Sequence, residues 1–237
     1  MMRWTIVIFA FNEEGGIGKV IQKVVDFQAT AGESSVEILI IDDGSTDRTP
    51  NIIQEFVKKN PLIRVVSHPR NLGIGKALQS GYREATNDYI VALPADNQFE
   101  VELLAQIPAF PASQFYSFYR SNPYSVWFRK LLHVFNRWFN YLLFGIRLRD
   151  VNWVKVYRKD QLQRINFEMN SSLIESEICI KLMRMGIQPI EQVSPYLPRE
   201  SGKSKGGSFQ TVSKAMVEML GLYRVIKQFS ANSQSGK

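Results

Sequence analysis

Short apolar runs alternate with segments of helical spacing through the first half of the chain. The runs that begin at Trp4, Val36 and Leu62 are rich in β-branched and aromatic residues, as in strands buried on both faces of a parallel sheet. This alternation predicts an α/β fold with a doubly wound, mostly parallel sheet. In chain order, the predicted elements are strand Trp4–Phe11, helix Ile17–Phe27, strand Val36–Ile41, a helix from Pro50, strand Leu62–Val66, a helix to about Thr86 and a strand from Tyr89.

The second half of the chain changes character, because long aromatic and amphipathic segments replace the regular alternation. It closes with amphipathic helices, so the predicted fold is a sheet followed by C-terminal helices. The predicted elements are a short helix Glu100–Ile107, strand Phe115–Tyr119, helix Tyr124–Phe144, strand Val154–Arg158, helix Ser172–Met185, strand Gln188–Val193 and helix Val212–Phe229.

Polar side chains stand where three of the predicted strands end: Asn12 with Glu13, the pair Asp42 and Asp43, and Asp96 with Gln98. In an open α/β sheet, ligands bind beyond the carboxyl ends of the strands, so we expect these groups to converge on one site. The oxygens of Asp96 and Gln98 suit Mg²⁺ or Mn²⁺ that holds a diphosphate. Taken alone, the segment around Asp96 favours an ordinary solvated turn over a metal site.

Two further loops have compositions that suit anions. Gly73 and Gly75 open a helix and would let the backbone approach a ligand closely, although an ordinary helix entry explains them as well. The loop from Pro198 to Gly207 is basic and rich in Gly and Ser, and such loops wrap anions with N–H, hydroxyl and cationic groups.

The predicted helix Tyr124–Phe144 carries Arg129, His133 and Arg137 on one face among aromatic and aliphatic side chains. This pattern is typical of a helix that lies on a membrane surface. A core helix or a subunit interface explains the pattern equally well.

Composition narrows the function classes. A net charge of +7 over 237 residues indicates an anionic partner. Nucleic acid is disfavoured, because the aromatic residues cluster with aliphatic ones and do not space along a basic groove. The single cysteine, Cys179, excludes an internal disulfide, and we expect neither a signal peptide nor a membrane span. The chain is therefore expected to be cytoplasmic.

Several ordered motifs resemble those of glycosyltransferase family 2, in the branch that includes dolichyl- and polyprenyl-phosphate sugar transferases such as dolichol-phosphate mannosyltransferase. The resembling segments are Phe9–Glu14, Ile41–Thr49, Asn71–Ala77, Pro94–Gln98 and the Arg199-x-x-Gly202-x-Ser204-Lys205 loop. The resemblance implies the GT-A fold and inverting transfer of a sugar from GDP-mannose or a UDP-sugar to a polyprenyl or dolichyl phosphate. It also implies one domain over residues 1–229, with a nucleotide-binding half (1–98), an acceptor half (99–229) and a disordered tail (230–237).

The resemblance also implies roles for individual residues. The catalytic set would be Asp96, Arg120 and Arg129. Mg²⁺ or Mn²⁺ would bind Asp96 and Gln98. The acceptor phosphate would bind Arg120, Arg129, Arg199, Ser204 and Lys205. The nucleotide sugar would bind Ala10, Phe11, Glu13, Asp42, Asp43, Gly73, Lys76, Ala95 and Asp96.

Three departures from the family pattern change these expectations. Pro94 replaces the first aspartate of the metal motif, which predicts weak or relaxed metal dependence. Phe9 and Phe11 replace the usual Pro and Tyr, which alters packing near the base. The membrane helices of some relatives are missing, so we expect a peripheral protein at the cytoplasmic face of a membrane. The helix over residues 124–144 or a membrane-protein partner would bring it there.

Two other functions compete with lipid-phosphate transfer. A family 2 enzyme that glycosylates a saccharide or glycolipid hydroxyl would need a carboxylate base, for which Asp150 and Glu177 are candidates. A phosphate acceptor is already anionic and needs only cations that position it. The other alternative is a non-catalytic protein that binds membrane surfaces, which the replacement by Pro94 would fit.

Overall fold

The fold is a three-layer α/β arrangement around one mixed sheet. The structure, a computed structural model, describes residues 2–32, 35–121, 134, 137–138, 140–195, 197 and 218–229. The strands are β1 (Trp4–Ala10), β2 (Val36–Asp42), β3 (Ile63–Ser67), β4 (Tyr89–Pro94), β5 (Gln114–Ser121), β6 (Lys155–Arg158) and β7 (Gln188–Pro195). The α-helices are α1 (Ile17–Ala31), α2 (Thr49–Lys59), α3 (Ile74–Glu84), α4 (Lys159–Leu162) and α5 (Ile174–Arg184).

The strand order in the sheet is β3-β2-β1-β4-β6-β5-β7. Strands β3, β2, β1 and β4 are parallel to one another, while β6 runs antiparallel to both β4 and β5. Strand β7 is parallel to β5. The predicted α/β fold with a mostly parallel sheet is therefore confirmed.

The first strand lies at the centre of the parallel part, and this position explains its composition. Ile6, Val7 and Ile8 have no solvent exposure, because core packs against both faces of the strand. Alternate residues enter different clusters: Ile6 and Ile8 join one core with α1, and Val7 joins the other with α3. A continuous apolar run is thus the expected signature of this strand.

Helix α1 packs through Ile17, Val20, Ile21 and Val24, which recur at helical spacing and are buried. Helix α3 approaches the sheet more closely, through Gly81. A Cβ atom at that position would lie 2.4 Å from Cγ1 of Val7. The absence of a side chain at Gly81 therefore sets the distance between α3 and β1.

The predicted elements correspond to observed ones, with local differences. Val101–Gln106 forms a 3₁₀ helix, and β7 continues to Pro195. Residues 140–144 and 218–229 are helical, as predicted for these parts of the C-terminal half. The remaining predictions for residues 122–133, for the basic loop 198–207 and for the tail 230–237 lie outside the described residues. Among the described helices, none combines the length and the apolar character needed to span a bilayer.

The close contact of Gly81 with Val7 leads to a stability prediction. We expect Gly81→Ala to lower the free energy of unfolding by about 1–3 kcal/mol, because the added methyl group overpacks the interface between α3 and β1. Gly221 is the matched control, since it lies in helical residues 218–229 with no atom within 4 Å of an added Cβ. Gly221→Ala should raise stability by about 0.5–1 kcal/mol. Urea denaturation of both variants measures the difference, and equal effects would contradict the packing argument.

Candidate functional site

A cavity of about 710 Å³ opens beyond the carboxyl ends of β1 and β4. These strands are neighbours, yet the chain leaves β1 toward β2 on one side and reaches β4 on the other. Such a reversal of strand order leaves a crevice between the loops, which is where ligands bind in open α/β sheets. Four of the six strand-end residues that were expected to converge line this cavity: Asn12, Glu13, Asp43 and Asp96.

The cavity brings together eight of the predicted site residues. Its wall includes Ala10, Phe11, Glu13, Asp43, Gly73, Ala95, Asp96 and Arg120. Three other predicted residues, Asp42, Lys76 and Gln98, are described but do not line the cavity. Arg129, Arg199, Ser204 and Lys205 lie outside the described residues, so their roles stay predictions.

The loops that follow β1 and β2 hold each other through polar contacts. The Asn12 side-chain carbonyl accepts a hydrogen bond from the Thr46 N–H at 2.8 Å. The Glu13 N–H donates to the Thr49 hydroxyl at 2.9 Å. Asn12 has a φ of 54°, a left-handed conformation that Asn tolerates better than most residues. These contacts fix the loop that presents Phe11 and Glu13 to the cavity.

Asp43 fixes a second wall of the cavity. Its carboxylate accepts hydrogen bonds from the backbone N–H groups of Leu72 at 2.9 Å and Gly73 at 2.8 Å. The side chain is buried, with 4% exposure. Asp43 thus holds the start of α3 against the end of β2. Asp42 turns away from the cavity, and its carboxylate accepts the Ser45 N–H at 3.0 Å.

Asp96 lies in the turn that follows β4 and is half-buried in the cavity wall. The first turn of α1 packs directly on this segment: a Cβ atom at Gly16 would lie 2.4 Å from the Ala95 carbonyl oxygen. Gln98 is buried, and its side-chain amide donates to the Leu197 carbonyl at 3.2 Å. The position of Asp96 is therefore set by backbone packing, while Gln98 points toward residue 197.

The donor set around Asp96 fits a metal ion that arrives with its substrate. In the part of the chain that the structure describes, no group of three or more His, Cys, Asp or Glu side chains could hold a metal ion. Mg²⁺ commonly binds through one or two carboxylates, with substrate phosphates and water completing its shell. Asp96 can supply one such carboxylate, so the residues fit Mg²⁺ or Mn²⁺ carried by a diphosphate.

Arg120 enters the cavity wall as half of a buried ion pair. Its guanidinium donates to both carboxylate oxygens of Asp150, at 2.7 and 3.1 Å. The guanidinium carbon also lies 4.6 Å from the ring centroid of Trp153. The side chains of Arg120 and Asp150 are 12% and 3% exposed. This geometry fixes the direction of the guanidinium and occupies the Asp150 carboxylate.

A buried polar cluster behind the cavity was not anticipated from the sequence. Glu175 lines the cavity and accepts hydrogen bonds from the hydroxyl groups of Tyr82 and of Tyr157, the latter at 2.8 Å. The Lys155 ammonium lies 4.0 Å from Glu175 and donates to the carbonyl of Trp153 at 2.8 Å. A lysine inside an apolar strand is the sequence signal that could have revealed the cluster.

Burial sets the protonation of this cluster. Burial, together with the neighbouring Glu175 carboxylate, raises the pKa of Tyr82 and of Tyr157 well above the usual range. Both phenols therefore stay protonated and donate hydrogen bonds to Glu175 at neutral pH. Burial also raises the pKa of the Cys179 thiol to about 11, so this thiol is not a nucleophile at neutral pH.

Glu177 has no access to the cavity. It is fully buried, and its carboxylate accepts the backbone N–H groups of Glu168 at 2.9 Å and Met169 at 2.8 Å. The Lys181 ammonium donates to it at 2.6 Å. Asp150 and Glu177, the two carboxylates considered as catalytic bases, are thus both engaged in structural interactions.

Part of the chain, including several loops of this cavity, is similar to known proteins. The family model described as Glycosyl transferase family 2 matches residues 5–110, which include the loops around Phe11, Asp43, Gly73 and Asp96. A dolichyl-phosphate beta-glucosyltransferase of Trichomonas vaginalis is 30% identical over 102 residues, which are 41% of this chain and 30% of that protein. A prophage bactoprenol glucosyl transferase homolog of Escherichia coli is 34% identical over 106 residues, which are 45% of this chain and 34% of that protein. The chain thus aligns with about a third of the length of these curated relatives.

Solved structures share the fold over more of the chain. A mannosyltransferase of Pyrobaculum calidifontis, in complex with GDP-mannose and Mn²⁺, has a TM-score of 0.62 at 19% sequence identity. The matched part is 84% of this chain and 58% of the mannosyltransferase chain. Glucosyl-3-phosphoglycerate synthase of Mycobacterium tuberculosis, in complex with Mn²⁺, UDP-glucose and phosphoglyceric acid, has a TM-score of 0.66 at 16% identity. The matched part is 98% of this chain and 79% of the synthase chain. These likenesses confirm the predicted GT-A fold.

The buried pair of Arg120 and Asp150 leads to a second stability prediction. Asp150→Asn should lower the free energy of unfolding by roughly 3 kcal/mol, because it leaves a guanidinium without its carboxylate in a nearly dry site. The control is Asp88→Asn, since Asp88 makes the same two-point contact with Arg3 at an exposed position. That variant should lose less than about 1 kcal/mol. Chemical denaturation measures both, and equal losses would show that burial does not strengthen the Asp150 pair.

Proposed function

We propose that this chain, whose residues 5–110 match the model of glycosyltransferase family 2, transfers one sugar from a nucleotide sugar to a polyprenyl phosphate with inversion. The observation that carries the proposal is the state of the cavity's charged groups. Arg120 offers a fixed cation, while Asp150 and Glu177 are unavailable as bases. An acceptor that is already an anion needs a cation to position it and no base, so this arrangement favours a phosphate over a hydroxyl acceptor.

The nucleotide sugar is proposed to occupy the side of the cavity formed by β1 and α3. Phe11 and Glu13 would contact the nucleoside. The wall that Asp43 holds, which includes Gly73, would lie along the nucleotide. Asp96 would hold Mg²⁺ or Mn²⁺ on the diphosphate, where the ion would neutralise the charge that develops on the leaving group. The two curated relatives are named as glucosyltransferases, and the solved neighbours hold GDP-mannose or UDP-glucose, so both nucleotides belong in the first assay.

The acceptor phosphate is proposed to approach Arg120 from the opposite side of the cavity. Its oxygen forms a bond to the anomeric carbon while the bond from that carbon to the diphosphate breaks, and the bonding electrons leave with the nucleoside diphosphate. The Arg120 guanidinium, fixed by Asp150, orients the attacking oxygen. Arg129, Arg199, Ser204 and Lys205 are proposed to contact the same phosphate.

The transfer assay tests this proposal directly. Purified protein is incubated with radiolabelled GDP-mannose, UDP-glucose or other UDP-sugars and a short-chain polyprenyl phosphate, with Mn²⁺, Mg²⁺ or EDTA. We expect an organic-extractable product from one donor. We also expect roughly 10²-fold or greater loss of turnover in Asp96→Ala, because the carboxylate that would hold the metal is removed. Asp26→Ala removes an exposed carboxylate on α1 and should retain full activity.

Other outcomes of the assay would replace the proposal. A labelled product only with a saccharide acceptor would assign a hydroxyl-glycosylating enzyme. Normal turnover in Asp96→Ala would refute the assignment of the metal-binding residue. Failure to bind any donor, measured by a thermal shift, would favour a non-catalytic protein. Retained activity in EDTA would show that the replacement by Pro94 accompanies a metal-independent reaction.

The proposed acceptor lies in a membrane, and an exposed apolar surface suggests how the protein reaches it. We call this surface the two-helix face: it comprises Tyr141 and Leu142 of helical residues 140–144 and Leu220 and Tyr223 of residues 218–229. Leu142 and Leu220 are 56% and 63% exposed. The two helices meet at the ring pair Phe144–Tyr223, with centroids 6.4 Å apart.

Charge complements this apolar surface. Met219, Leu222 and Ile226 turn inward, so residues at 220, 223, 224 and 227 share the outer side of the last helix. Exposed cations flank the two-helix face: Arg137, Arg147, Arg224 and Lys227. Aromatic and aliphatic side chains beside cations are the pattern of a helix that binds anionic lipid headgroups. We therefore assign this face to the cytoplasmic surface of an anionic membrane.

Vesicle sedimentation tests the two-helix face independently of catalysis. Leu220→Ser should weaken binding to phosphatidylglycerol-containing vesicles about tenfold, because one exposed leucine no longer enters the lipid. Leu62→Ser is the matched control, since Leu62 is 54% exposed but precedes the edge strand β3, and it should bind like the wild type. Equal binding by both variants would refute the assignment. Absence of binding to all vesicles would indicate recruitment by a membrane-protein partner.

A further inference from the structure

A chain of three buried or half-buried side chains runs from the cavity wall into the protein: Asp43, which holds that wall, and then His68 and Ser80, to which the transfer described above assigns no role. His68 Nδ1 lies 2.6 Å from Asp43 Oδ1, and His68 Nε2 lies 2.9 Å from the Ser80 hydroxyl. The imidazole is 9% exposed. Neither His68 nor Ser80 lines the cavity, so the chain does not present a nucleophile to a ligand.

The three residues come from different elements that enclose the start of α3. Asp43 follows β2, His68 follows β3 and Ser80 lies within α3. The backbone adds a second tie, because the His68 N–H donates to the Asp42 carbonyl at 2.8 Å. His68 therefore bridges the sheet edge and the middle of α3, while Asp43 holds the helix start through Leu72 and Gly73.

The Asp43 carboxylate needs this support because it must keep one exact orientation. It is buried, and it must present its two oxygens to the backbone N–H groups of Leu72 and Gly73 at the same time. Gly73 has a φ of 92°, so this stretch of backbone adopts a conformation that few residues tolerate. A third hydrogen bond, from His68, fixes the carboxylate plane, and Ser80 fixes the imidazole in turn.

The imidazole can make both contacts in either protonation state. With the proton on Nδ1, the ring donates to Asp43 and accepts the Ser80 O–H at Nε2. With both nitrogens protonated, it donates to Asp43 and to the Ser80 oxygen, because a hydroxyl can also accept. The hydroxyl at Ser80 is thus chemically suited to hold the ring whichever form is present.

We infer that His68 is a positioning residue for the nucleotide sugar: through Asp43 it sets the cavity wall formed by Asn71, Gly73 and Ile74. This inference rests on the proposed function for the identity of the ligand. The wall would contact the nucleotide equally in the ground state and in the transition state. Loss of His68 is therefore expected to raise the donor KM and leave kcat nearly unchanged.

The experiment compares three variants by calorimetric titration with GDP and UDP in the presence of Mn²⁺, and by donor KM and kcat. His68→Ala should weaken nucleotide binding about tenfold, because a buried carboxylate loses a hydrogen bond. His68→Asn keeps an N–H close to the Nδ1 position and should recover binding to within about threefold of the wild type. Ser80→Ala removes only the distal contact and should weaken binding about threefold. It also serves as the milder variant if His68→Ala does not fold.

Ser117→Ala is the matched control, because Ser117 is fully buried and its hydroxyl has no hydrogen-bond partner in the described structure. It should bind nucleotide like the wild type. If His68→Ala and Ser80→Ala lower the midpoint of unfolding but keep wild-type nucleotide affinity, His68 is only a structural residue and the inference is wrong. If the wild type itself binds neither nucleotide, the proposed function is wrong and the inference is wrong with it. Nucleotide binding by the wild type therefore tells the failure of the proposed function from a failure of the inference alone.

Discussion

The parallel pairing of β1 with β4 is the interaction on which the rest of the site depends. It places the ends of the two strands side by side, with Phe9 opposite Pro94. The chain has turned to the other side of β1 to form β2 and β3, so the loops after β1 and β4 separate and leave the crevice open. Gly16, which precedes α1, packs against the Ala95 backbone so closely that a Cβ atom at this position would lie 2.4 Å from the Ala95 carbonyl oxygen. The position of Asp96 in the cavity wall is therefore a consequence of backbone packing.

The second constraint is that the buried charges are matched locally. Arg120 is matched by Asp150 and Lys181 by Glu177, while Lys155 approaches Glu175 and two backbone carbonyls. Leaving any of these groups unmatched would cost several kcal/mol, so their pairing belongs to the fold. Arg120 and Lys155 both line the cavity, and Asp150 fixes the direction of the Arg120 guanidinium. These three pairs are neutral in formal charge, so the net charge of +7 is carried by the other residues of the chain.

The sequence predicted the elements well because their patterns are local. A continuous apolar run such as β1, or a repeat such as Ile17, Val20, Ile21 and Val24, depends only on neighbouring residues. The loops after these strands also follow from strand order, which is why Asp43 and Asp96 were expected at one edge of the sheet, whereas Arg120 was expected only from the family resemblance. The direction of a side chain is different. Gln98 turns to Leu197 because of a contact 99 positions away along the chain, and His68 meets Asp43 and Ser80 through three separate elements.

Pro94 is compatible with the pairing of β4, although it removes a side chain that could bind a metal ion. It occupies the last position of β4, where the ladder continues through the Ala95 N–H to the Phe9 carbonyl at 3.2 Å. On its other side, β4 pairs with β6 only from Tyr89 to Val91, so the missing N–H of proline leaves no partner unsatisfied there. The fold thus accepts proline, but the proline side chain cannot supply a metal ligand. Any metal ion at Asp96 must then owe most of its coordination to the diphosphate, so metal and nucleotide sugar would bind as one unit.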